Sequence, residues 1–325
     1  MTNLYPVRFD PQVKQRVWGG DALCRNYGKQ ECGEAAGESW EICGLQGDLS
    51  VVSNGFLAGN DISEITEVYM GDLVGEKIYE KFGIEFPLLI KILDAREMLS
   101  VQVHPDDTLA RKRHSAYGKS ELWYVLEAEP GAVIYSGFNR DITADEYLEA
   151  VDRKRLPSLM NRITPVAGDV FYLPAGTIHC IGGGVVVAEI QQASDITYRI
   201  YDWDRKSSEG HARELHNDLA VDALSFTQYN DPVTHHQVIP DVPEVIADNA
   251  HFHISLAGAE GVAIRDYSLT DSFVIIICTS GSLEIKYGDT EEKLKKGDTI
   301  LIPAITDLIT ITGDRGSAFL EVYIP

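Results

Sequence analysis

Short apolar runs, separated by turn-forming residues, recur along most of the chain. The runs have the length of single strands, and Gly, Pro, Asn or Asp residues stand between them. This pattern predicts strands over residues 86–93, 99–104, 122–127, 132–135, 169–173, 185–191, 273–278, 282–286 and 299–302. Many short strands at close spacing are typical of a β-sandwich or a β-barrel.

Apolar residues with helical spacing are confined to a few segments. Residues 106–117 begin with two aspartates that suit a helix N-terminus and end at Gly118, which suits a helix C-terminus. Residues 144–154 and 215–224 also have a helical pattern. We therefore expect a mainly β fold with a few inserted helices.

One short sequence occurs twice. Residues 168–175 read Gly-Asp-Val-Phe-Tyr-Leu-Pro-Ala, and residues 297–304 read Gly-Asp-Thr-Ile-Leu-Ile-Pro-Ala. Each copy is a Gly-Asp turn, an apolar strand and a proline that ends the strand. The repeat favours a duplicated β-barrel or jelly roll, and residues 229–248, rich in Pro, Asp and Val, resemble a linker. We expect a catalytic half over residues 1–235 and a second barrel, without a complete metal site, over residues 236–325.

The composition is that of a globular protein. Of the 325 residues, 44% are apolar and 24% are charged, and no apolar run is long enough to span a membrane. The N-terminus has no basic region followed by an apolar core, so we expect no signal peptide and a cytoplasmic location.

Acidic residues outnumber basic ones by a wide margin. With 28 Lys and Arg against 50 Asp and Glu, the net charge is −22. Because a nucleic acid demands a basic surface, such a partner is disfavoured. An anionic small substrate would require basic residues concentrated in one pocket.

The cysteines give no disulfide or metal pattern. Their number is odd, their spacing is irregular and no Cys-x-x-Cys pair occurs. We expect all five to be reduced thiols: Cys24, Cys32, Cys43, Cys180 and Cys278.

Residues 101–107, Val-Gln-Val-His-Pro-Asp-Asp, are the first segment with metal-binding side chains. Residues two apart on a strand face the same way, so Gln102 and His104 point together. The alternative for a single histidine in this position is an ordinary hydrogen bond at a strand end.

A second histidine follows a strand and a tight turn. Pro174 ends the strand, Gly176 closes the turn, and His179 stands on the returning strand. Residues 168–179 fit the second cupin motif, G-x5-P-x-G-x2-H, at each fixed position. The cupin motif continues to an asparagine, whereas this chain has Gly183.

A carboxylate completes the set. Glu121 opens the strand in Gly118-Lys-Ser-Glu-Leu-Trp-Tyr, and one carboxylate beside two imidazoles is a donor set that catalytic zinc uses. Common cupins place this glutamate a few residues after a His-x-His pair. Here Gln102 replaces the first histidine, and a helix-sized insert separates His104 from Glu121.

In this arrangement the chain resembles the type I phosphomannose isomerases, in the short bacterial form that lacks a large helical domain. The resemblance covers most of the first two-thirds of the chain. It is carried by residues 17–20, 37–41, 87–91, 101–107, 118–121, 173–179 and 198–205.

The resemblance implies roles for particular residues. It implies one zinc ion per chain, held by Gln102, His104, Glu121 and His179, with a catalytic arginine at Arg199. An amide oxygen binds zinc more weakly than an imidazole or a carboxylate does, so Gln102 contacting the substrate is the alternative. The resemblance also brings Lys119 and Glu189 to the same pocket.

The implied reaction interconverts mannose 6-phosphate and fructose 6-phosphate through an enediol. Zinc and Arg199 would stabilise the negative oxygen that develops. Glu189 is expected to be desolvated, with a raised pKa suited to a base; the alternative is a structural carboxylate paired to Arg199 or Lys119. Lys119 would be a cation near substrate oxygens, and Lys91 or Arg199 would bind the phosphate.

The remaining signals are weaker. Trp18 is either a packing residue at the barrel edge or a contact to the sugar. His251 and His253 resemble a metal pair, but the second copy of the repeat has neither the turn glycine nor the histidine. Open alternatives are another metal-dependent sugar-phosphate enzyme, an iron dioxygenase and a non-catalytic sugar-phosphate sensor. The oligomeric state is open.

Overall fold

The computed structural model, which describes residues 4–206 and 210–325, is built around three antiparallel sheets. In chain order the strands are β1 (Gln12–Gly20), β2 (Ala36–Cys43), β3 (Leu88–Ala95), β4 (Val101–Val103), β5 (Glu121–Ala128), β6 (Ile134–Phe138), β7 (Met160–Ile163), β8 (Asp169–Leu173), β9 (His179–Ile181), β10 (Val185–Gln192), β11 (Tyr198–Tyr201), β12 (Thr234–His235), β13 (Glu244–Asp248), β14 (His253–Asp266), β15 (Val274–Ser280), β16 (Ser282–Tyr287), β17 (Thr290–Lys295), β18 (Thr299–Ile302) and β19 (Leu308–Tyr323). The expected mainly β fold is confirmed.

The first two sheets enclose one core, and we call this pair the first barrel. One sheet has the order β1-β2-β3-β10-β5-β8-β12 and the other β11-β4-β9-β6-β7. Trp123 and Phe171 from the first sheet pack with Ile134 and Ile181 from the second. Their burial gives the barrel its apolar interior.

The third sheet forms what we call the second barrel. Its order is β13-β14-β19-β15-β18, with β16 paired to β19 and β17 paired to β16. The strands β14 and β19 are long, with 14 and 16 residues, and the inner residues of this sheet form a core that includes Ile276, Ile285 and Phe319.

A larger core joins the two barrels. Alternate residues of β5 face opposite ways: Trp123 lies inside the first barrel, whereas Leu122 and Tyr124 face the second barrel. They pack in the same cluster as Ile275 and Leu320 of the second barrel. Strands buried on both faces explain the continuous apolar runs in the sequence.

The repeated sequence has the same structure in both barrels. Strand β8 pairs with β5, and β18 pairs with β15 in the matching register. Each copy starts with a glycine of positive φ, Gly168 or Gly297. Each ends in a turn in which a threonine amide donates to the proline carbonyl three residues earlier, Thr177 to Pro174 and Thr306 to Pro303. The sequence repeat is therefore a repeat of structure.

The segments on either side of residue 236 pair with different barrels. Strand β12 pairs with β8 of the first barrel, and β13 pairs with β14 of the second. The expected division at this residue stays a prediction.

Six α-helices lie around the sheets in the described part of the chain. They are α1 (Ala22–Arg25), α2 (Ile62–Val74), α3 (Glu76–Phe82), α4 (Asp107–His114), α5 (Ala144–Asp152) and α6 (Asn217–Ala223). The last three correspond to the predicted segments, each shorter by a few residues. Among the residues that the structure describes, no helix has the length and apolarity needed to span a bilayer.

The expectation of five reduced cysteines is wrong. Cys24 and Cys32 form a disulfide, with their Cα atoms 6.0 Å apart, while Cys43, Cys180 and Cys278 are free and buried. The loop that follows α1 folds back on the helix, and this brings together two thiols that the sequence spacing alone does not pair.

Candidate active site

Three metal-binding side chains meet in the first barrel. The Nε2 atoms of His104 and His179 lie 3.6 Å and 3.3 Å from oxygens of Glu121, and all three residues are buried. Their donor atoms lie within 4.8 Å of one another. In the described part of the chain, this is the one group of three or more His, Cys, Asp or Glu residues with such spacing.

Two glycines shape the backbone around these residues. Gly176 has a φ of +90° in the turn before His179, and its amide donates to the His104 carbonyl at 2.9 Å. Gly118 lies against the N-terminus of α4, where a Cβ atom would come within 2.5 Å of the Asp107 amide nitrogen. These close approaches let the inserted helix return the chain to Glu121.

Backbone carbonyls orient both imidazoles. The Nδ1 atoms of His104 and His179 lie 2.8 Å from the carbonyls of Ile196 and Thr177. A neutral ring that donates through Nδ1 presents the Nε2 lone pair to a metal. Burial lowers the pKa of His179 to about 4 and that of His104 well below its usual value, so both rings are neutral near pH 7.

The free donor atoms fit a metal ion. Among the described residues, Oε1 of Glu121 and Nε2 of His179 are buried without a hydrogen-bond partner. Burial also raises the pKa of the Glu121 carboxyl, because the charged form is poorly solvated there. A divalent cation would satisfy these atoms, and the two-imidazole, one-carboxylate set leaves a coordination position open.

Gln102 stands beside the three metal-binding residues. On β4 it lies opposite His179 of β9 and opposite Arg199 of β11, and it lines the adjoining cavity. This position is compatible with either role expected for it, as a metal ligand or as a substrate contact.

Lys119 connects the three residues to the cavity. Its Nζ atom lies 2.9 Å from Oε2 of Glu121, 3.4 Å from Nε2 of His104 and 4.0 Å from Oε1 of Glu189. Burial alone would lower the pKa of Lys119, but the two carboxylates outweigh it and raise the pKa. The ammonium group is therefore charged although it is buried.

Glu189 is tied to neighbours through both oxygens. Oε1 lies 3.1 Å from Nζ of Lys91, and Oε2 accepts a 2.8 Å hydrogen bond from Nε1 of Trp123. Burial opposes its ionisation, but Lys91 and Lys119 outweigh burial and lower the pKa. The expectation that burial raises the pKa of Glu189 is wrong. Its main ionic partner is Lys91, which faces it across the β3–β10 pair.

Arg199 has no carboxylate partner among the described ion pairs. Its Nη1 donates to the Glu214 carbonyl at 3.0 Å, and its Nε is buried without a partner. Nearby Arg213, in contrast, is held through two nitrogens by Asp202. Burial and Arg213 both lower the pKa of Arg199. The unpaired guanidinium is suited to an anionic ligand.

A cavity of about 640 Å³ lies beside the metal-binding residues. Four acidic side chains line it, namely Glu38, Asp48, Glu189 and Asp195. Six basic side chains line it, namely Lys14, Arg16, Lys91, Lys119, Arg199 and Arg213. This part of the described surface therefore has an excess of positive charge, as an anionic substrate requires in a chain of charge −22.

Several cavity residues were missed from the sequence. Arg16 binds Glu38 through two nitrogens, and the Trp40 indole donates to the same carboxylate at 2.6 Å. Glu38 lies in residues 37–41, one of the segments that carry the resemblance, and this was the available signal. Nothing in the sequence pattern indicates Asp195, which lines the cavity and has no ion pair in the described structure.

Trp18 lies at the cavity wall and is 4% exposed, within the core of the first barrel. The proposed sugar contact of Trp18 stays a prediction. The rings of His253 and Tyr323 stack in the second barrel, and His253 lies 3.3 Å from Asp248.

Comparisons with known proteins agree with this arrangement. Residues 7–135 match the model of the phosphomannose isomerase type I catalytic domain, and residues 263–320 match that of the mannose-6-phosphate isomerase cupin domain. The mannose-6-phosphate isomerase ManA of Bacillus subtilis is 36% identical over 92% of this chain and 93% of its own. The mannose-6-phosphate isomerase of Streptococcus mutans is 32% identical over 92% of each chain.

Solved structures give the same answer for the fold. The crystal structure of the Bacillus subtilis mannose 6-phosphate isomerase matches with a TM-score of 0.85 and 31% identity, over 99% of this chain and 100% of that one. A protein of known structure from Archaeoglobus fulgidus shares the fold, with a TM-score of 0.81 and 21% identity over 99% of each chain. With such similarity along nearly its whole length, the chain belongs to the type I phosphomannose isomerase family of enzymes.

Proposed function

We propose that this enzyme interconverts mannose 6-phosphate and fructose 6-phosphate, with one zinc ion per chain held by His104, Glu121 and His179 and by Gln102 as a fourth, weaker ligand. The observation that carries the proposal is the buried three-residue donor set beside a cavity rich in basic side chains. The relatives named as mannose-6-phosphate isomerases support the substrate.

The donor set supports a zinc ion. Two neutral imidazoles and a carboxylate suit this metal, and Gln102 is the fourth proposed ligand. A mannose 6-phosphate isomerase of the same fold, with a TM-score of 0.76, has been solved with zinc and yttrium bound. A divalent cation held by these residues would supply Lewis acidity to an aldose–ketose isomerisation.

Basic side chains bind and orient the sugar phosphate in this proposal. Arg199 has an unpaired guanidinium, so it is our choice for the developing negative charge or the phosphate. Lys119 lies next to the donor set, where its ammonium group would contact the substrate oxygens near the metal. Lys91 is held by Glu189 and Gln191, so its ammonium group contributes positive charge from a fixed position.

In this proposal, a group other than Glu189 is the base that transfers the proton between the two sugar carbons. A carboxylate with a lowered pKa and both oxygens bonded is a weak base, so we assign Glu189 a structural role, with Lys91 as its main partner in place of the expected Arg199 or Lys119. Asp195 is our candidate base, because it is the cavity carboxylate without an ion pair in the described structure.

A coupled assay tests the reaction and the site together. Fructose 6-phosphate formation from mannose 6-phosphate is followed for zinc-loaded wild type and for His179→Ala. We expect turnover in wild type and a loss of activity of at least about 100-fold in the variant. Removing only a hydrogen-bond partner of a metal ligand already lowers metal affinity or activity about 10- to 100-fold. His253→Ala, in the second barrel, is the matched control and should retain wild-type activity.

Two results would count against the proposal. Absence of turnover in demonstrably zinc-loaded wild type would remove the assignment for this substrate. Full activity after complete metal removal, with the metal content measured, would contradict the zinc mechanism, although the assignment of the substrate would still hold.

A further inference from the structure

The geometry points to Trp123 as a positioning residue that holds the metal-binding imidazole of His179 and the carboxylate of Glu189 in a fixed relation. Trp123 itself offers no atom to metal or substrate in this arrangement. The inference rests on the proposed function, because it assigns a role within the same site.

The indole contacts both partners directly. Its ring meets the His179 ring edge-on, with centroids 5.2 Å apart and an interplanar angle of 85°. Its Nε1–H donates to Oε2 of Glu189 at 2.8 Å. All three side chains are at most 3% exposed, so these contacts are made without competition from water.

The position of the indole is itself fixed by the sheet. Trp123 is the third residue of β5, opposite Glu189 of β10 on one side and opposite Phe171 of β8 on the other. The Phe171 ring packs against the indole with a centroid distance of 6.4 Å. Glu121 lies two residues before Trp123 and on the same face of β5. One strand therefore carries both a proposed metal ligand and the indole.

The second barrel contains a natural comparison. In the register of the repeat, Trp123 pairs with Phe171 and Ile276 pairs with Ile300, which makes Ile276 the counterpart of Trp123. Ile276 lies opposite Glu321, just as Trp123 lies opposite Glu189. Among the described residues, this barrel has no group of His, Cys, Asp and Glu suited to a metal.

The carboxylate of the second barrel is held in another way. Glu321 accepts hydrogen bonds from Tyr267 at 2.6 Å and from Ser255 at 3.2 Å. A glutamate at this strand position therefore does not require an indole for burial. The indole is present in the barrel where a metal-binding imidazole has to be supported at the same time.

Two substitutions separate the two contacts. Trp123→Phe keeps an aromatic ring beside His179 and removes the donor to Glu189, whereas Trp123→Leu removes both. Glu189 then keeps Lys91 but loses the bond that fixes its second oxygen. Tyr27→Phe is the matched control, because it removes one donor to a carboxylate, Glu127, at a position outside the cavity.

The experiment measures metal affinity, the Co²⁺ absorption spectrum and the steady-state constants of each folded variant. We expect Trp123→Phe to lower kcat about tenfold with KM and zinc affinity changed less than about threefold. We expect Trp123→Leu to weaken zinc binding about tenfold as well and to alter the visible spectrum of the Co²⁺-substituted enzyme. Tyr27→Phe should resemble wild type in all three measurements.

The inference would be overturned by unchanged zinc affinity and an unchanged Co²⁺ spectrum in Trp123→Leu. A fall in thermal stability alone, with wild-type kcat in Trp123→Phe, would also overturn it, since that is the signature of simple packing. If Trp123→Leu does not fold, Trp123→Met takes its place. Wild type without turnover of mannose 6-phosphate would be a failure of the proposed function, and the metal measurements would still decide the inference.

Discussion

Glu189 lies inside the first barrel as an ion, because donors surround both of its oxygens. Burial of a lone carboxylate would cost several kcal/mol, and the ammonium groups of Lys91 and Lys119 offset that cost. Lys91 also contacts the face of Trp40, with 5.2 Å from its Nζ to the ring centroid. At the scale of single residues, the site is a set of mutually dependent charges.

Removing Lys91 should therefore destabilise the fold. Lys91→Met leaves Glu189 buried without its nearest cation, and we expect the free energy of unfolding to fall by about 3 kcal/mol at pH 7. Urea denaturation of the zinc-loaded enzyme measures the change. The double variant Lys91→Met/Glu189→Gln removes both charges and should recover most of the loss; a loss below about 1 kcal/mol in the single variant would contradict the dependence.

The sequence predicted those site residues whose chemistry is explicit in a motif. His104, Glu121 and His179 lie in short segments where the spacing of turn and strand residues already fixes their direction. The pairing of Lys91 with Glu189, in contrast, depends on the register of β3 against β10, nearly a hundred residues later. The sequence alone does not show that a lysine faces Glu189. Burial is then the one effect that can be considered, and burial by itself raises the pKa of a carboxyl group.

At the scale of elements, prediction succeeded best where turn residues mark both ends of an element. Residues 169–173 and 299–302 were predicted with the observed bounds, because turns and prolines delimit them. Helix α2 was missed, although Asp61 and Glu64 form a capping box at its start. The helix is irregular at Met70, which has a φ of 47°, and Gly71 follows it. The spacing of apolar residues typical of a helix is therefore not sustained along the segment.

The loop after α1 gives a prediction at the same scale. The Cys24–Cys32 disulfide closes a short loop with a sequence separation of 8, for which loop entropy predicts a stabilisation of about 2.5 kcal/mol. Reductant should lower the free energy of unfolding in urea by about this amount.

A thiol count provides the independent check on that loop. In denaturant without reductant, a thiol reagent should detect three free cysteines per chain, Cys43, Cys180 and Cys278. The double variant Cys24→Ser/Cys32→Ser should not respond to reductant. Five reactive thiols before reduction would instead restore the expectation made from the sequence.

At the scale of the whole molecule, an apolar core and a few ion pairs hold the two barrels together. The core contains Leu122 of the first barrel and Leu320 of the second. At its border, Lys296 of the second barrel contacts Glu127 of β5 at 2.8 Å, and Tyr27 donates to the same carboxylate. The apolar pattern predicted strands buried on both faces, but only the assembled sheets reveal which barrel each face meets.

The ion pair between Glu127 and Lys296 makes the union of the barrels depend on pH. Burial opposes ionisation of Glu127, but hydrogen bonds from Lys296 and Tyr27 outweigh it and lower the pKa. A lowered folded-state pKa stabilises the protein above the unfolded value, about 4.3, and this contribution is lost as the pH falls through the folded pKa. Because both partners are about one-third exposed, Glu127→Gln should lower the free energy of unfolding by only about 0.5 kcal/mol at pH 7.

The difference between wild type and Glu127→Gln should shrink as the pH is lowered from about 6 towards 3, since protonation makes the two side chains alike. Urea denaturation across this range measures it. Glu129→Gln is the control: Glu129 follows the end of β5 and makes no ion pair in the described structure, so its substitution should have no such pH dependence. A difference that grows on acidification would mean that Lys296 does not favour the charged carboxylate, and that the apolar core alone holds the barrels together.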